Sequence, residues 1–532
     1  MANNNSLDVQ ETSRSIIFPD SREGTPTTVP LSIIDSTVSG FARCAGIWYY
    51  DPPPSPDSAI SISRLRESLS KTLTAYPHLC GMVHYAAPKS KAGHTNRYRR
   101  VHVTYNAPTD VGIPFHDATS SKNLADFIPD TKARKASLKA WDISQLPSDK
   151  LFPPTELAIS DDSSKLLPNV IIQATTFACG SAAIALEFTH CLADAHAMSI
   201  FVKDWAATNQ ALLKDEPLPK LSPVFNPQLL DSAAAGDIDA ENPDPALQEQ
   251  ARKLPFHRYD WYTPVTGQPW PVRMPPGFDS TVKLSPTSPI PWADWDVKAP
   301  CLHRILHFSS EEIQCIYDQT TSQDPASKVS KHDALLAYLW TRINVARHNS
   351  PETQTYLNMT FGIRPRTSPP LPDSFLGSPI LLAAISSPPS SSLPPGQASL
   401  LLDTAKKIRS TLQEFTPSAI AAHLHDAAFE YSPQRIWQGF LGRKHLLLTT
   451  WLYLDVHNID FVGNGGPKLR FVESVMPSCD GLLQIMEAPG EVGDANGHWS
   501  RNGVDVSLFL EEAVMERLLA DELLWGGRCS VE

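Results

Sequence analysis

The chain has 532 residues, of which 42% are hydrophobic and 19% charged, so it can bury a sizeable core and is not a disordered tail. Lys and Arg number 45 against 57 Asp and Glu, for a formal net charge of −12. That balance argues against a broad nucleic-acid-binding surface, although it allows a local basic pocket for a phosphorylated ligand. The length accommodates two to four domains at about 150 residues each, and 48 prolines against 25 glycines point to long, rigid, irregular connections between packed elements.

Leu31 to Tyr50 alternates like a strand pair and ends at DPPPSPD. From Ile60 to Tyr76 the spacing becomes helical, with Leu65, Leu69 and Leu73 on one face. Asn169 to Thr189 holds two strand-like runs, VIIQATTFA and AAIALEFT, hinged at Gly180 and Ser181, and a helix follows from about Ala195 to Leu213. Residues 216–300 are rich in proline and tryptophan with little periodicity, which reads as a crossover between two lobes. Regular pattern resumes with the strand LHRILHFS and the amphipathic helix HDALLAYLWTRINVAR. Then come a strand from Leu357 to Ile363, a proline-rich segment, the strand PILLAAIS and the loop SSPPSSSLPPGQ. A helix from Ser399 to Glu414, strands at Leu446 to Leu454 and Leu469 to Val475, and a last strand–helix pair close the chain. Strands and helices alternate in both halves, so the fold class is α/β with two similar-sized lobes. The division runs 1–215, 216–300 for the crossover, and 301–532.

The eight cysteines form no CxxC pair and no zinc-spaced cluster. Met1 to about Pro19 is polar and lacks the core of a signal peptide, and no apolar run approaches the ~20 residues that span a bilayer. Cys529 stands where a prenylated cysteine would, but Ser530 and Glu532 fit that box poorly. The expectation is a protein of the reducing cytosol without membrane attachment.

The most informative local feature is His190-Cys191-Leu192-Ala193-Asp194. An apolar strand delivers a His at its end, and an Asp follows where a helix begins, which suits a general base held near a lobe boundary. A lone His at a strand end is more often a packing residue, and an Asp just before a helix more often an N-cap. His196 has the wrong offset from His190 for one helix face and no third ligand, so no metal is expected. There is no GxSxG elbow, and GHWSRNG has the wrong spacing. Gly463 to Pro467 is glycine-rich, but no helix follows it, so it reads as a tight turn and not a phosphate cradle. Cys191 adjoins His190, yet neighbours on a strand diverge to opposite faces.

Distant segments taken together resemble the BAHD acyltransferase family, and more closely its fungal branch of trichothecene-type O-acetyltransferases. The matching blocks are PLSIIDSTVSG with LRESLSKTLTAYPHLCGMV, QATTFACGSAAIALEFTHCLAD, SKHDALLAYLW, FGIRPRTSPPLPDSFLGS, TTW at Thr449 to Trp451, and DFVGNGGP from Asp460. They cover nearly the whole chain apart from the crossover. Two departures stand out: Ala195 replaces the glycine after HxxxD, and the family's DFGWG loop carries an extra residue, with Asn464 near its Trp position.

The resemblance implies two acyltransferase-like lobes, each a mixed sheet with helices, and an active-site tunnel between them. It implies an acyl-CoA co-substrate, acetyl-CoA by analogy with the fungal branch, no permanently bound cofactor, and a small hydroxylated acceptor of specialised metabolism. His190 matches the general base, and no covalent acyl-enzyme is needed. Asp194 matches the supporting carboxylate, with Arg364 on a neighbouring strand as its partner. Thr449 and Trp451 match the oxyanion-side block. Lys328, Ser330 and Lys331 match the region that meets CoA, and they also fit an ordinary solvated helix end. Asp460, Gly463 and Gly465 match the structural loop. A monomer is expected. Trp270, Trp292 and Trp295 suit either an apolar acceptor or simple pinning of the crossover. A condensation-domain relative with carrier-bound substrates is a second reading, though Thr189 stands where that group has its first His. A non-catalytic binding protein on the same fold is a third.

Overall fold

The computed structural model describes residues 7–526 apart from 22–23, 88–92, 137–138, 155–158, 163–164, 351, 388–397, 464 and 491–497. The serine- and proline-rich loop at 388–397, Asn464 and Cys529 therefore lie outside the described residues.

The strand that leads to His190, Ala182–Phe188, is buried at every position. A strand covered on both faces favours a run of small and apolar side chains, which AAIALEF supplies except at Glu187, whose carboxylate pairs with Arg43. It pairs antiparallel with Val170–Phe177 on one side and with Cys44–Tyr50 on the other. The hairpin between the first two turns at Gly180, whose φ of 84° costs a glycine nothing. The helix Ala195–Leu213 then lays Met198, Phe201, Val202 and Trp205 onto the core.

Two large mixed sheets organise the described residues. One has six strands in the order Gln10–Ile17, Ile113–Ser120, Val170–Phe177, Ala182–Phe188, Cys44–Tyr50, Leu469–Ser474. The other has seven, in the order Ile380–Ser386, Tyr356–Gly362, His445–Thr450, Leu482–Glu487, Val504–Glu511, Cys301–Phe308, Ala140–Asp142. Each sheet borrows its last strand from the far half of the chain: Leu469–Ser474 pairs antiparallel with Cys44–Tyr50, and Ala140–Asp142 with Cys301–Phe308. The lobes are thus laced together by backbone hydrogen bonds, and the sequence-order division is crossed at these two strands.

One expectation needs correction. Leu31 to Tyr50 is not a strand pair: Ile33–Thr37 is a short helix, and only Cys44–Tyr50 is a strand. Ser32 and Asp35 form a reciprocal capping box that fixes the helix start, and this local bonding outweighs the alternation.

The crossover contains the short helices Gln228–Asp231 and Pro245–Arg252 and otherwise irregular chain. Trp292 stacks on Trp295 with ring centroids 6.1 Å apart, and both pack against Phe440, while Trp261 stacks on Trp437 at 5.0 Å. These rings pin the crossover to the second half of the chain. Trp270 remains half exposed. Cys44, Cys80, Cys179, Cys191, Cys301 and Cys479 form no disulfide, and Cys315 is disulfide-bonded. No helix among the described residues is long and apolar enough to cross a membrane.

Candidate active site

His190 leaves the end of its strand where a tight turn, closed by the Leu192 N–H donating to the Thr189 carbonyl, carries the chain into the following helix. Asp194 caps that helix: its Oδ1 accepts from the Ala197 N–H at 2.9 Å. The same carboxylate receives the Arg364 guanidinium in a bidentate grip, Nη1 to Oδ2 at 2.7 Å and Nη2 to Oδ1 at 3.0 Å. Arg364 Nε donates to the Phe375 carbonyl at 3.0 Å. Both partners are buried. Arg364 stands not on a strand but in the turn just after Tyr356–Gly362, in the opposite sheet's lobe. Burial alone would push the Asp194 carboxyl up; the charge and hydrogen bonds of Arg364, with the Ala197 N–H, hold it below the ordinary carboxylate value.

The imidazole of His190 has its own partner across the lobe boundary. Its Nδ1 lies 3.0 Å from the Oγ of Ser378, and the Phe41 ring meets it edge-on at 5.8 Å. Burial lowers the affinity of His190 for a proton, offset in part by a hydrogen bond with its own backbone carbonyl and by the charge of Asp194. A proton on Nδ1 satisfies both oxygens and leaves the Nε2 lone pair as the basic site. Ser378 is fully buried, and its N–H donates to Asp35 Oδ1 at 2.7 Å. Asp35 also accepts from the N–H and hydroxyl of Ser32, yet burial pushes its carboxyl up to about 7.

His196 turns away from a shared site, its Nε2 lying 2.8 Å from the Asp373 carbonyl. Cys191 is fully buried, and burial drives its thiol far above the usual range, so no thiolate is available there.

Thr449 lies on the strand His445–Thr450, opposite Gln484 in a parallel pairing. Trp451 follows directly; its main-chain N–H donates to the Ile485 carbonyl at 2.8 Å, and its ring packs in the apolar cluster that holds Cys191, Leu192 and Ala193. The block thereby reaches the same lobe boundary as the histidine turn.

The remaining residues lie elsewhere. Ser330 caps the helix Lys331–Ala346 in a box with Asp333. Arg409, from the helix Ala398–Gln413, donates to Asp333 Oδ2 at 2.6 Å and to Ser330 Oγ at 2.8 Å. Lys328 is exposed and Lys331 half-buried beside it, so this helix start gathers three cations against one carboxylate, a surface able to meet phosphate. Asp460 closes an Asx turn by accepting the Val462 and Gly463 N–H groups at 2.8 Å, and Gly463 and Gly465 take φ of 89° and 88°. The loop is fastened to the far end of the histidine lobe's helix: Asn209 Nδ2 donates to the Phe461 carbonyl at 2.6 Å, and Phe461 packs edge-on against Trp205. Fifteen residues at a rise of about 1.5 Å place that fastening roughly 22 Å from the Asp194 cap, so the loop acts on the fold and not on the chemistry.

Sequence reasoning did not single out Ser378, Asp35, Phe41 or Arg409. Ser378 and Asp35 do lie inside matching blocks, and the S-x-x-D of Ser32 and Asp35 is a visible capping signature. Nothing local marks Phe41 or Arg409, which act through distant partners.

The profile described as the Transferase family matches residues 7–522. The acyltransferase abl6 of Leptosphaeria maculans is 25% identical over 97% of this chain and 98% of its own length. The acyltransferase AFT15-1 of Alternaria alternata is likewise 25% identical over 97% of each chain. Among solved structures, Fusarium sporotrichioides TRI101 in complex with coenzyme A and T-2 shares the fold with a TM-score of 0.62 at 17% identity, covering 94% of this chain and 98% of that one. With a family match from end to end and a buried HxxxD turn at the contact of two lobes, the chain belongs to the Transferase family of BAHD acyltransferases.

Proposed function

We propose that this enzyme transfers an acyl group, acetyl in the first instance, from acyl-CoA to a hydroxyl of a small specialised metabolite, with His190 as general base. The observation that carries the reading is the presentation of His190: Nδ1 is engaged by Ser378 at 3.0 Å while Asp194 and Arg364 lock the turn on which it sits.

In this mechanism His190 Nε2 removes the acceptor's hydroxyl proton as the oxygen attacks the thioester carbonyl. A C–O bond forms, and the carbonyl electron pair moves to oxygen as a tetrahedral oxyanion. The Thr449 hydroxyl and the Trp451 indole N–H stabilise that charge. On collapse the C–S bond breaks and the leaving thiolate takes the proton back from the imidazolium, giving ester and free CoA thiol. No acyl-enzyme forms, in keeping with the buried, protonated thiol of Cys191. Lys328, Lys331 and Arg409 at the start of Lys331–Ala346 hold CoA phosphate. The acceptor enters on the Phe41 side, where Thr37, Val38, Ile380, Leu382 and His423 line a cavity with apolar and polar walls. Acetyl rests on the resemblance to the fungal O-acetyltransferases. The 1–215 and 301–532 segments supply the two faces of the site, and the enzyme works as a monomer. The reducing cytosol is our reading of the compartment, from the six cysteines that form no disulfide.

The test is thiol release from acetyl-, malonyl- and benzoyl-CoA with an extract of hydroxylated metabolites, with the product followed as a mass shift. Acetyl-CoA turnover giving an acetylated product supports the reading; thiol release from malonyl- or benzoyl-CoA alone replaces the donor assignment.

A further inference from the structure

His190 is not held by its own lobe alone. Gly377 and Ser378 precede the strand Ile380–Ser386 of the seven-stranded sheet, and both are gripped by residues of the histidine lobe. The Gly377 carbonyl accepts the Asp194 N–H at 3.1 Å. Gly377 has a φ of 104°, and a Cβ built there would stand 3.0 Å from Asp35 Oδ1, so the close approach requires glycine. The Ser378 N–H donates to Asp35 Oδ1 at 2.7 Å, and its Oγ then sits 3.0 Å from His190 Nδ1. Asp35 in turn is fixed by two donors of Ser32. The hydroxyl is therefore placed by its backbone, and its backbone is placed by a carboxylate across the lobe boundary.

We propose that Ser378 is a positioning residue for His190, accepting the Nδ1 proton and held to that task by Asp35. The proposal rests on the assignment of His190 as the base. With Nδ1–H committed to Ser378 Oγ and the backbone carbonyl, the ring cannot rotate or exchange tautomers without losing a buried hydrogen bond, and Nε2 stays unprotonated toward the acceptor. Once Nε2 takes the proton, the Nδ1–H bond to Ser378 becomes charge-assisted and strengthens, so it favours the transition state over the resting enzyme. The titratable and charged groups around the ring are Asp194, paired with Arg364, and Asp35 behind Ser378; Phe41 covers another side with its ring edge.

The experiment uses the full chain with Ser378→Ala and Ser378→Thr, steady-state thiol release across pH, and imidazole 15N chemical shifts. In Ser378→Ala the kcat falls about 10-fold, the worth of one oriented hydrogen bond, while KM for acyl-CoA and the melting temperature stay with the parent. Loss of an acceptor disfavours the imidazolium, so the acid limb of the kcat/KM profile moves to lower pH, and the His190 15N shifts move toward a mixture of tautomers. Ser378→Thr, which keeps the hydroxyl, restores kcat and the limb. Asp35→Asn keeps an oxygen for the Ser378 N–H but sets an amide against the donors of Ser32. It lowers kcat in the parent and adds nothing in Ser378→Ala. A Ser378→Ala enzyme with the parent's kcat, acid limb and 15N shifts overturns the proposal, as does full additivity of the two substitutions. Transfer surviving in His190→Ala would instead overturn the base assignment beneath it.

Discussion

Asp194 and Arg364 meet from opposite lobes as a buried bidentate pair, and the carboxylate oxygen that accepts from Arg364 Nη2 also caps the helix that follows His190. One side chain thus starts a helix, ties two lobes and fixes the turn that presents the histidine. Arg364 and the Ala197 N–H take three of its roughly four acceptor positions, which ties the carboxylate into the fold.

Substitution of Asp194 should therefore cost stability as well as activity. Asp194→Ala strands a buried guanidinium, and breaking one side of such a pair costs about 3–5 kcal/mol. Asp194→Asn keeps an acceptor oxygen and should be milder. Chemical unfolding of both variants beside the parent checks the order. An Asp194→Ala protein of parental stability that is inactive would show that the carboxylate acts directly in catalysis.

Trp451 separates a charge-stabilising role from a packing one. Trp451→Phe keeps most of the buried ring and removes the indole N–H. If the indole meets the oxyanion, turnover should fall by up to ~100-fold, as for loss of one such donor, with the melting temperature close to the parent. A well-folded Trp451→Phe enzyme with unchanged kcat would move that task to Thr449 or to backbone N–H groups.

Much of this was legible in the chain. The two strands around Gly180, the helix Ala195–Leu213 and the helix starting at Lys331 follow from periodicity and caps, because each is decided by local spacing. Asp194 beside Arg364 came from the order of the blocks, since 170 residues separate them and no local pattern links them. What stayed hidden was non-local. The strand pairing of Leu469–Ser474 with Cys44–Tyr50 is set by packing between halves of the chain, and alternation within either segment carries no word of its partner. Ser378 looked like one polar residue in a proline-rich stretch, and only the approach of Asp35 gives its hydroxyl a direction.

Buried histidines set the pH range in which the fold is stable. Burial lowers eight of them, His190 among them: His78 and His303 to about 3, His257, His332, His423 and His457 to about 4, and His445 to about 2, against an ordinary 6.5. Between pH about 4 and 6.5 the unfolded chain holds protons on these rings that the folded chain does not, so stability rises with pH across that window. Asp35 and Glu473, each raised to about 7 by burial, act in the opposite direction, as do Glu187, Asp204 and Glu487, which burial also raises, but the lowered histidines outnumber them. The melting temperature should be clearly higher at pH 7 than at pH 5. A flat profile, or a maximum at pH 5, would mean that these histidines are not kept neutral by the fold.

In the proposed mechanism His190 performs the proton transfer and does not hold the fold. Its most direct test is acyl transfer by His190→Ala, assayed as CoA thiol release beside thermal melting of the same sample. Turnover should fall at least ~100-fold, with melting temperature and acyl-CoA binding near those of the parent. Transfer that persists in the folded His190→Ala protein would contradict it.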